Sequence, residues 1–328
     1  MSRFTRGGGV GAAVADQVDD AALARLYAEG HTLVLQGLHR IHPPVITFAQ
    51  ALSLDLGHPV QVNAYVTPRQ SQGFSDHYDV HDVFVVQTAG RKRWMIRPPV
   101  HAHPLRDQPW TDHREAVEDA ASREPLLDVV LEPGDVLYLP AGFLHAAQAL
   151  GETSAHLTVG VHTWTRFHLI EQLVHRLGEV AELRAPLPLG VDVTDPAAIS
   201  RELDQLRPVL DRALRDLDAD ALVDGLRERA RDGVRPEPVA PLAQTALLDV
   251  LTEDWPLRLR RNLGARRHRT AGGWVLSTAD GDHELPADLP EPISDAVGRL
   301  VDGHVVRAGE LGLELAARWV RAALVVTG

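Results

Sequence analysis

The chain contains no cysteine. Disulfides, thiolate metal sites, iron–sulfur clusters and cysteine nucleophiles are therefore excluded, and any metal must be held by His, Asp, Glu or main-chain oxygen. Lysine is almost as scarce: of 33 basic residues, 32 are arginine and Lys92 is the single lysine. No stretch reaches the ~18 uninterrupted apolar residues of a membrane helix. The start, Met1 to Gly9, lacks the apolar core of a secretory signal, so a cytoplasmic location is the expectation. A basic surplus is missing too: 45 acidic residues against 33 basic give a net charge of −12. Such a chain is no generic nucleic-acid binder, and its field attracts a basic partner.

What is present in quantity is histidine. Ten of the 17 histidines fall between His77 and His175. The 45% apolar and 24% charged residues are the ordinary mix of a globular protein. A length of 328 residues allows two domains and a small third at about 150 residues each.

The first ~20 residues, rich in Gly and Ala, read as a loose leader. A short helical pattern follows over Ala21 to Ala28, and from Val60 the period becomes two. Strands are expected over Val60–Val66, His77–Gln87, Arg91–Ile96, Leu126–Leu131, Val136–Leu139 and Ala155–Thr163, with turns at Gly90 and Pro133-Gly134-Asp135. A polar insert, His101 to Glu124, separates the third from the fourth, and its histidines read as exposed. Short strands punctuated by Gly and Pro indicate a barrel or sandwich. After Thr165 the period changes to about 3.6. Phe167, Ile170, Leu173, Val174, Leu177 and Val180 form one apolar stripe. Ile199, Leu203, Leu206, Leu210, Leu214 and Leu217 form a second, opened by the N-cap pair Asp195-Pro196 and kinked or split at Pro208. A linker around Gly233 to Pro241 leads to a last segment with a hairpin at Asp280-Gly281.

The strongest chemical signal is His77-Tyr78-Asp79, followed 66 residues after Asp79 by His145. Residues i and i+2 of an extended strand share a face, so His77 and Asp79 converge on one ion. His145 follows the turn Pro140 to Leu144 and presents a third ligand. Two imidazoles and a carboxylate on one face of an octahedron form the facial triad of non-haem Fe(II) oxygenases. His81 shares the same parity and reads as a solvated or supporting residue, whereas His156 and His162, which share one parity on the last strand, read as lining the barrel or its mouth without an assigned role. Lys92 shares a strand face with Trp94 and Ile96, which aims its cation at the core, where it needs an anion.

These residues, with the string Gly134-Asp135-Val136-Leu137-Tyr138-Leu139-Pro140-Ala141-Gly142-Phe143-Leu144-His145, resemble the cupin-type JmjC oxygenases, specifically the ribosomal oxygenase family of protein hydroxylases. The matching stretch is roughly Asn63–Thr163, and the helical and C-terminal regions are similar more loosely. The resemblance implies Fe(II) on His77, Asp79 and His145, with 2-oxoglutarate and O2 as cosubstrates. It implies that Lys92, 15 residues after His77, anchors the distal carboxylate of 2-oxoglutarate, helped by Asn63, Tyr65 and Thr158. Asn63 also reads as a turn residue and Tyr65 as a barrel aromatic. Gly160 stands where some members have Ser.

The expected fold is mixed α and β. A double-stranded β-helix (cupin/JmjC) barrel occupies residues 1–165, a helical dimerisation region 166–240, and a winged-helix-like domain 241–328. The expected function is hydroxylation of a protein side chain by a homodimer, the resemblance pointing first to an arginine of a basic large-subunit ribosomal protein and second to a histidine. Residues 245–328 hold 10 Arg against 12 Asp and Glu, too little positive charge for direct DNA binding despite the cluster Arg258 to Arg269. The competing readings are an oxygenase of a peptide natural product or small molecule, a cupin with another divalent metal, and a non-enzymatic scaffold. Lys92 argues against the second of these and the triad against the third.

Overall fold

Alternating apolar and polar residues build the first of two units, residues 1–163, and helical periodicity opens the second, residues 164–328. The computed structural model describes residues 5–6, 17–69, 71, 73–233, 236–270, 272–278, 280–286 and 288–328. Most of the leader expected over the first ~20 residues lies outside these.

In the first unit a short pair, β1 (Thr5–Arg6) and β2 (Gln17–Val18), precedes α1 (Asp20–Ala28). Asp19 caps α1 by accepting the Ala22 N–H at 3.0 Å. Next come β3 (Leu33–Leu35), α2 (Leu38–Ile41), and α3 (Pro43–Leu56), which starts on proline and stops at left-handed Gly57. The strands β4 (Val60–Thr67), β5 (Asp82–Ala89) and β6 (Lys92–Arg97) follow. After α4 (Arg114–Ala121) come β7 (Leu127–Leu131), β8 (Val136–Leu139), β9 (Leu144–Ala149) and β10 (Ser154–Val161).

These strands form two antiparallel sheets, ordered β3-β4-β10-β5-β8 and β7-β6-β9. The last strand, β10, is thereby inserted between β4 and β5. Gly90 reverses the chain from β5 to β6 at φ +59°, and a Cβ there would lie 2.2 Å from the Thr153 carbonyl. Only glycine fits that approach. Val83, Val85, Trp94, Ile96, Leu131, Leu139 and Ala147 pack as one core cluster.

The strand expected over His77–Gln87 is shorter than its composition suggests, because regular pairing begins only at Asp82. His77 forms an isolated bridge to His145, and Tyr78 to His81 run irregularly. The i, i+2 geometry argued for His77 and Asp79 is thus supplied by a bridged loop. The polar insert contains α4, seated through buried Val117. His101 and His113 are half-buried there and stack at 4.5 Å, and His103 is exposed.

The second unit opens with α5 (Arg166–Leu177), α6 (Pro196–Arg215) and α7 (Ala219–Gly233). Asp195 caps α6, accepting from Ala197 and Ala198 N–H. The helix continues through Pro208, which forgoes one i→i−4 hydrogen bond without dividing it. Then come α8 (Pro241–Val250), β11 (Pro256–Leu259), β12 (Arg266–Thr270), β13 (Gly273–Thr278) and β14 (Gly281–Glu284). The chain ends with α9 (Glu291–Val301), β15 (Val306–Arg307), α10 (Ala308–Leu311), α11 (Leu313–Arg321) and β16 (Val325–Thr327). Their strands make two three-stranded sheets, β15-β11-β16 and β12-β13-β14, around a core that includes Leu257, Leu276, Leu300 and Trp319. Much of the arginine cluster is engaged internally. Arg258 grips Glu237 with two hydrogen bonds, Arg260 donates to the Glu237 and Ala323 carbonyls, and Arg267 donates to Ser294. No helix among the described residues is long and apolar enough to cross a membrane.

Candidate functional site

Two segments far apart in sequence meet at the isolated bridge. The His77 N–H donates to the His145 carbonyl at 3.2 Å, and the His145 N–H returns the bond to the His77 carbonyl at 2.8 Å. The flanking chain is held as well. Gly142 N–H donates to the Asp79 carbonyl at 2.9 Å, and the Asp82 carboxylate accepts from Ala141 N–H at 2.9 Å and Tyr138 Oη at 2.8 Å. Arg97, nearly buried, forms an ion pair with Asp76 immediately before His77. The loop carrying His77 and Asp79 is therefore fixed by main-chain and charged contacts in place of a regular ladder.

Their ligating atoms converge. Among the described residues, His77, Asp79 and His145 are the one group of three or more metal-binding side chains whose donor atoms all lie within 4.8 Å of one another. His145 Nε2 stands 3.8 Å from Asp79 Oδ2. Each imidazole uses Nδ1 elsewhere: His77 Nδ1 donates to the Ser75 carbonyl at 2.7 Å, and His145 Nδ1 to the Phe143 carbonyl at 3.1 Å. A carbonyl only accepts, so these bonds place the protons on Nδ1 and leave both Nε2 lone pairs for an ion. Burial, then the neighbouring His77, pushes the His145 pKa down to about 4. It is neutral at physiological pH, as a ligand must be.

The ligands open onto a cavity of about 290 Å³, whose lining includes Thr32, Tyr65, Phe74, Lys92, Trp94, Trp110, His156 and Thr158. Lys92 is 2% exposed, on the inward face of β6 with Trp94 and Ile96 as its parity predicts. Its Nζ donates to Thr67 Oγ1 at 3.0 Å, and no ion pair to a carboxylate accompanies it among the described residues. Burial lowers its pKa from 10.5 to about 8. A buried cation without a counter-ion is an unmet demand for an anion. The residues present thus fit both a divalent ion and a carboxylate beside it.

The other expected residues divide. Tyr65 and Thr158 line the cavity, and burial, then Asp79, raises the Tyr65 pKa. Asn63 is outside the lining, with its side-chain oxygen accepting the Gly37 N–H at 2.9 Å. It belongs to β4, so the turn reading does not hold. His156 stacks on Tyr65 at 5.0 Å and meets Trp94 edge-on at 5.4 Å. Burial, then Lys92, pushes its pKa down to about 3. His81 packs against His162 at 4.8 Å and lies outside the convergent triad. Thr32, Thr67, Phe74 and Trp110 were not singled out from the sequence, although Thr67 shares the strand parity of Asn63 and Tyr65.

Residues 43–169 match the JmjC domain family. The chain is 39% identical to rat (Rattus norvegicus) ribosomal oxygenase 1 over 154 residues, covering 45% of this chain and 25% of that protein. It is 34% identical over 201 residues to the Drosophila mojavensis bifunctional lysine-specific demethylase and histidyl-hydroxylase NO66, covering 56% of this chain and 22% of that protein. The match thus spans about a quarter of the length of these curated relatives. The crystal structure of Escherichia coli ycfD shares the fold at TM-score 0.50 and 18% identity, over 90% of this chain and 79% of that one. Over residues 43–169 the chain is similar to the JmjC domain family, and the relatives it matches include proteins named ribosomal oxygenase 1.

Proposed function

We propose that the protein is an Fe(II)- and 2-oxoglutarate-dependent hydroxylase of a protein side chain. The observation that carries this reading is the juxtaposition, in one cavity, of three convergent ligands and a buried lysine lacking a counter-ion. His77, Asp79 and His145 would hold the iron through two Nε2 atoms and a carboxylate oxygen. Lys92 would bind the distal carboxylate of 2-oxoglutarate, with Tyr65 and Thr158 lining the same space. The iron with 2-oxoglutarate and O2 supplies the oxidising power for C–H hydroxylation, leaving succinate and CO2. The protein orients the cosubstrate, keeps the His145 imidazole neutral, and screens the centre from water with Phe74, Trp94 and Trp110. The barrel is read as a double-stranded β-helix, residues 166–240 as a dimerisation region and 241–328 as a winged helix.

A ribosomal protein is the proposed substrate, following the names of the matched relatives. Among the described residues Asp79 is the one carboxylate lining the cavity, and in this reading it would be committed to the metal. A guanidinium would find no free counter-ion there, whereas a neutral imidazole would fit between the aromatic walls. This favours histidine over arginine as the target side chain. The partner proposed for α5 and α6 is a second copy of the chain, because Phe167, Ile170 and Val174 are 44%, 49% and 62% exposed on one stripe. The test is intact-mass spectrometry of ribosomal proteins from cells with and without the gene. One protein should differ by the mass of one oxygen atom, and identical masses throughout would overturn the ribosomal assignment.

A further inference from the structure

Lys92 is held by a hydroxyl, and that hydroxyl is itself held. Nζ carries three N–H bonds and makes one hydrogen bond among the described residues, to Thr67 Oγ1 at 3.0 Å. Thr67 has no exposed surface, and its oxygen accepts a second bond, from Thr32 Oγ1 at 3.2 Å. A hydroxyl oxygen offers two lone pairs, so Thr67 is saturated as an acceptor and cannot rotate away without breaking a bond. The register explains the meeting. Leu33 of β3 pairs with Val66 of β4, which sets Thr32 beside Thr67 at the end of that ladder. Thr67 also faces Ser154 across β4 and β10, so both sides of its backbone are fixed by strands.

We propose that Thr67, braced by Thr32, is the positioning residue of the cosubstrate site, fixing the Lys92 ammonium so that its remaining N–H bonds are free for the distal carboxylate. The inference rests on the cosubstrate reading given above and adds the residues that make the anchor rigid. The choice of hydroxyl matters. A carboxylate at this position would neutralise Lys92 and remove its attraction for a ligand, whereas an apolar residue would leave the ammonium without its fixed acceptor. A lysine stem is flexible, and a ligand that must first order it binds more weakly. Thr67 removes that ordering step without quenching the charge.

The experiment is calorimetric titration of the full chain loaded with Mn(II), using 2-oxoglutarate and, separately, 2-oxopentanoate, which has the same keto acid end without the distal carboxylate. Thr67→Val should weaken 2-oxoglutarate binding about tenfold, the scale of one charge-assisted hydrogen bond, and leave 2-oxopentanoate binding unchanged. Thr67→Ser should restore the wild-type preference. Thr32→Val, a second variant that leaves Thr67 in place, should weaken 2-oxoglutarate by a smaller factor. Undiminished preference for 2-oxoglutarate in either valine variant overturns the inference while the cosubstrate reading stands. Equal binding of both keto acids by the wild type overturns the cosubstrate reading, and the inference with it.

Discussion

Replacing Lys92 by methionine should make the folded protein more stable at neutral pH while disabling its site. Methionine has nearly the length of lysine and needs no counter-ion. Burial lowers the Lys92 pKa from 10.5 to about 8, so the folded state disfavours the ammonium relative to the unfolded chain. At pH 7 both states are protonated, and the penalty is 2.5 pH units at 1.36 kcal/mol each, about 3 kcal/mol. Between pH 8 and 10.5 the unfolded state binds more protons than the folded one, so stability rises with pH and the penalty fades. It is about 1.5 kcal/mol at pH 9.5. Loss of the bond to Thr67 subtracts about 1 kcal/mol from the variant at both pH values, which leaves the pH dependence intact. The advantage of Lys92→Met over wild type should therefore shrink by about 2 kcal/mol from pH 7 to 9.5.

Urea unfolding followed at the methyl resonance of Met95, three residues away on β6, reads this difference within the first unit. Because Lys92 is the single lysine, lysine labelled with carbon-13 at Cε gives one signal that reports its titration directly. A midpoint at or above the ordinary 10.5, or an offset between the proteins that does not change with pH, would refute the reasoning.

Further outcomes are expected. His77→Ala should keep the fold, since its bridge to His145 is main-chain, and lose most Mn(II) affinity; undiminished metal stoichiometry by electron paramagnetic resonance would contradict the triad. Ile170→Glu should convert a dimer to monomers in sedimentation without changing helicity, and a wild type already monomeric at micromolar concentration removes the dimer proposal. In Gly160→Ala the new Cβ would meet His81 Nε2 at 2.7 Å. Displacing that ring should destabilise the fold by about 1 kcal/mol and shift the His81 and His162 imidazole resonances, and unchanged resonances would show that the contact is not made.

The site was legible where one residue type carried the chemistry. The strand parity of Lys92 needed only local pattern and holds. Joining His145 to His77 and Asp79 across 66 residues leaned on the resemblance to the JmjC oxygenases, and their donor atoms converge from a bridged loop in place of the expected strand. The hydroxyls behind Lys92 were not legible, because threonine is ordinary in strands and Thr32 meets Thr67 across 35 residues of chain. Asn63 misled for a related reason. Its parity points with Tyr65, but an orphan N–H at left-handed Gly37 claims its oxygen. The strand overextended to His77 reflects the β-branched run that follows, in which propensity says nothing about where a partner strand begins. Helix α4 escaped because Val117 is its one buried residue, too few apolar positions to define a period.

The main-chain clasp between His77 and His145 bears on which ion the protein carries. Two peptide hydrogen bonds fix the backbones that carry the two imidazoles, and a spacing set this way suits the first-row divalent ions alike, because their radii differ little. Discrimination by size is given up, and two nitrogens with one oxygen bind cobalt, nickel, copper or zinc at least as tightly as iron by intrinsic affinity. Correct loading then depends on what the surrounding medium supplies. Mismetallation, rather than unfolding, becomes the way such a centre fails under metal stress.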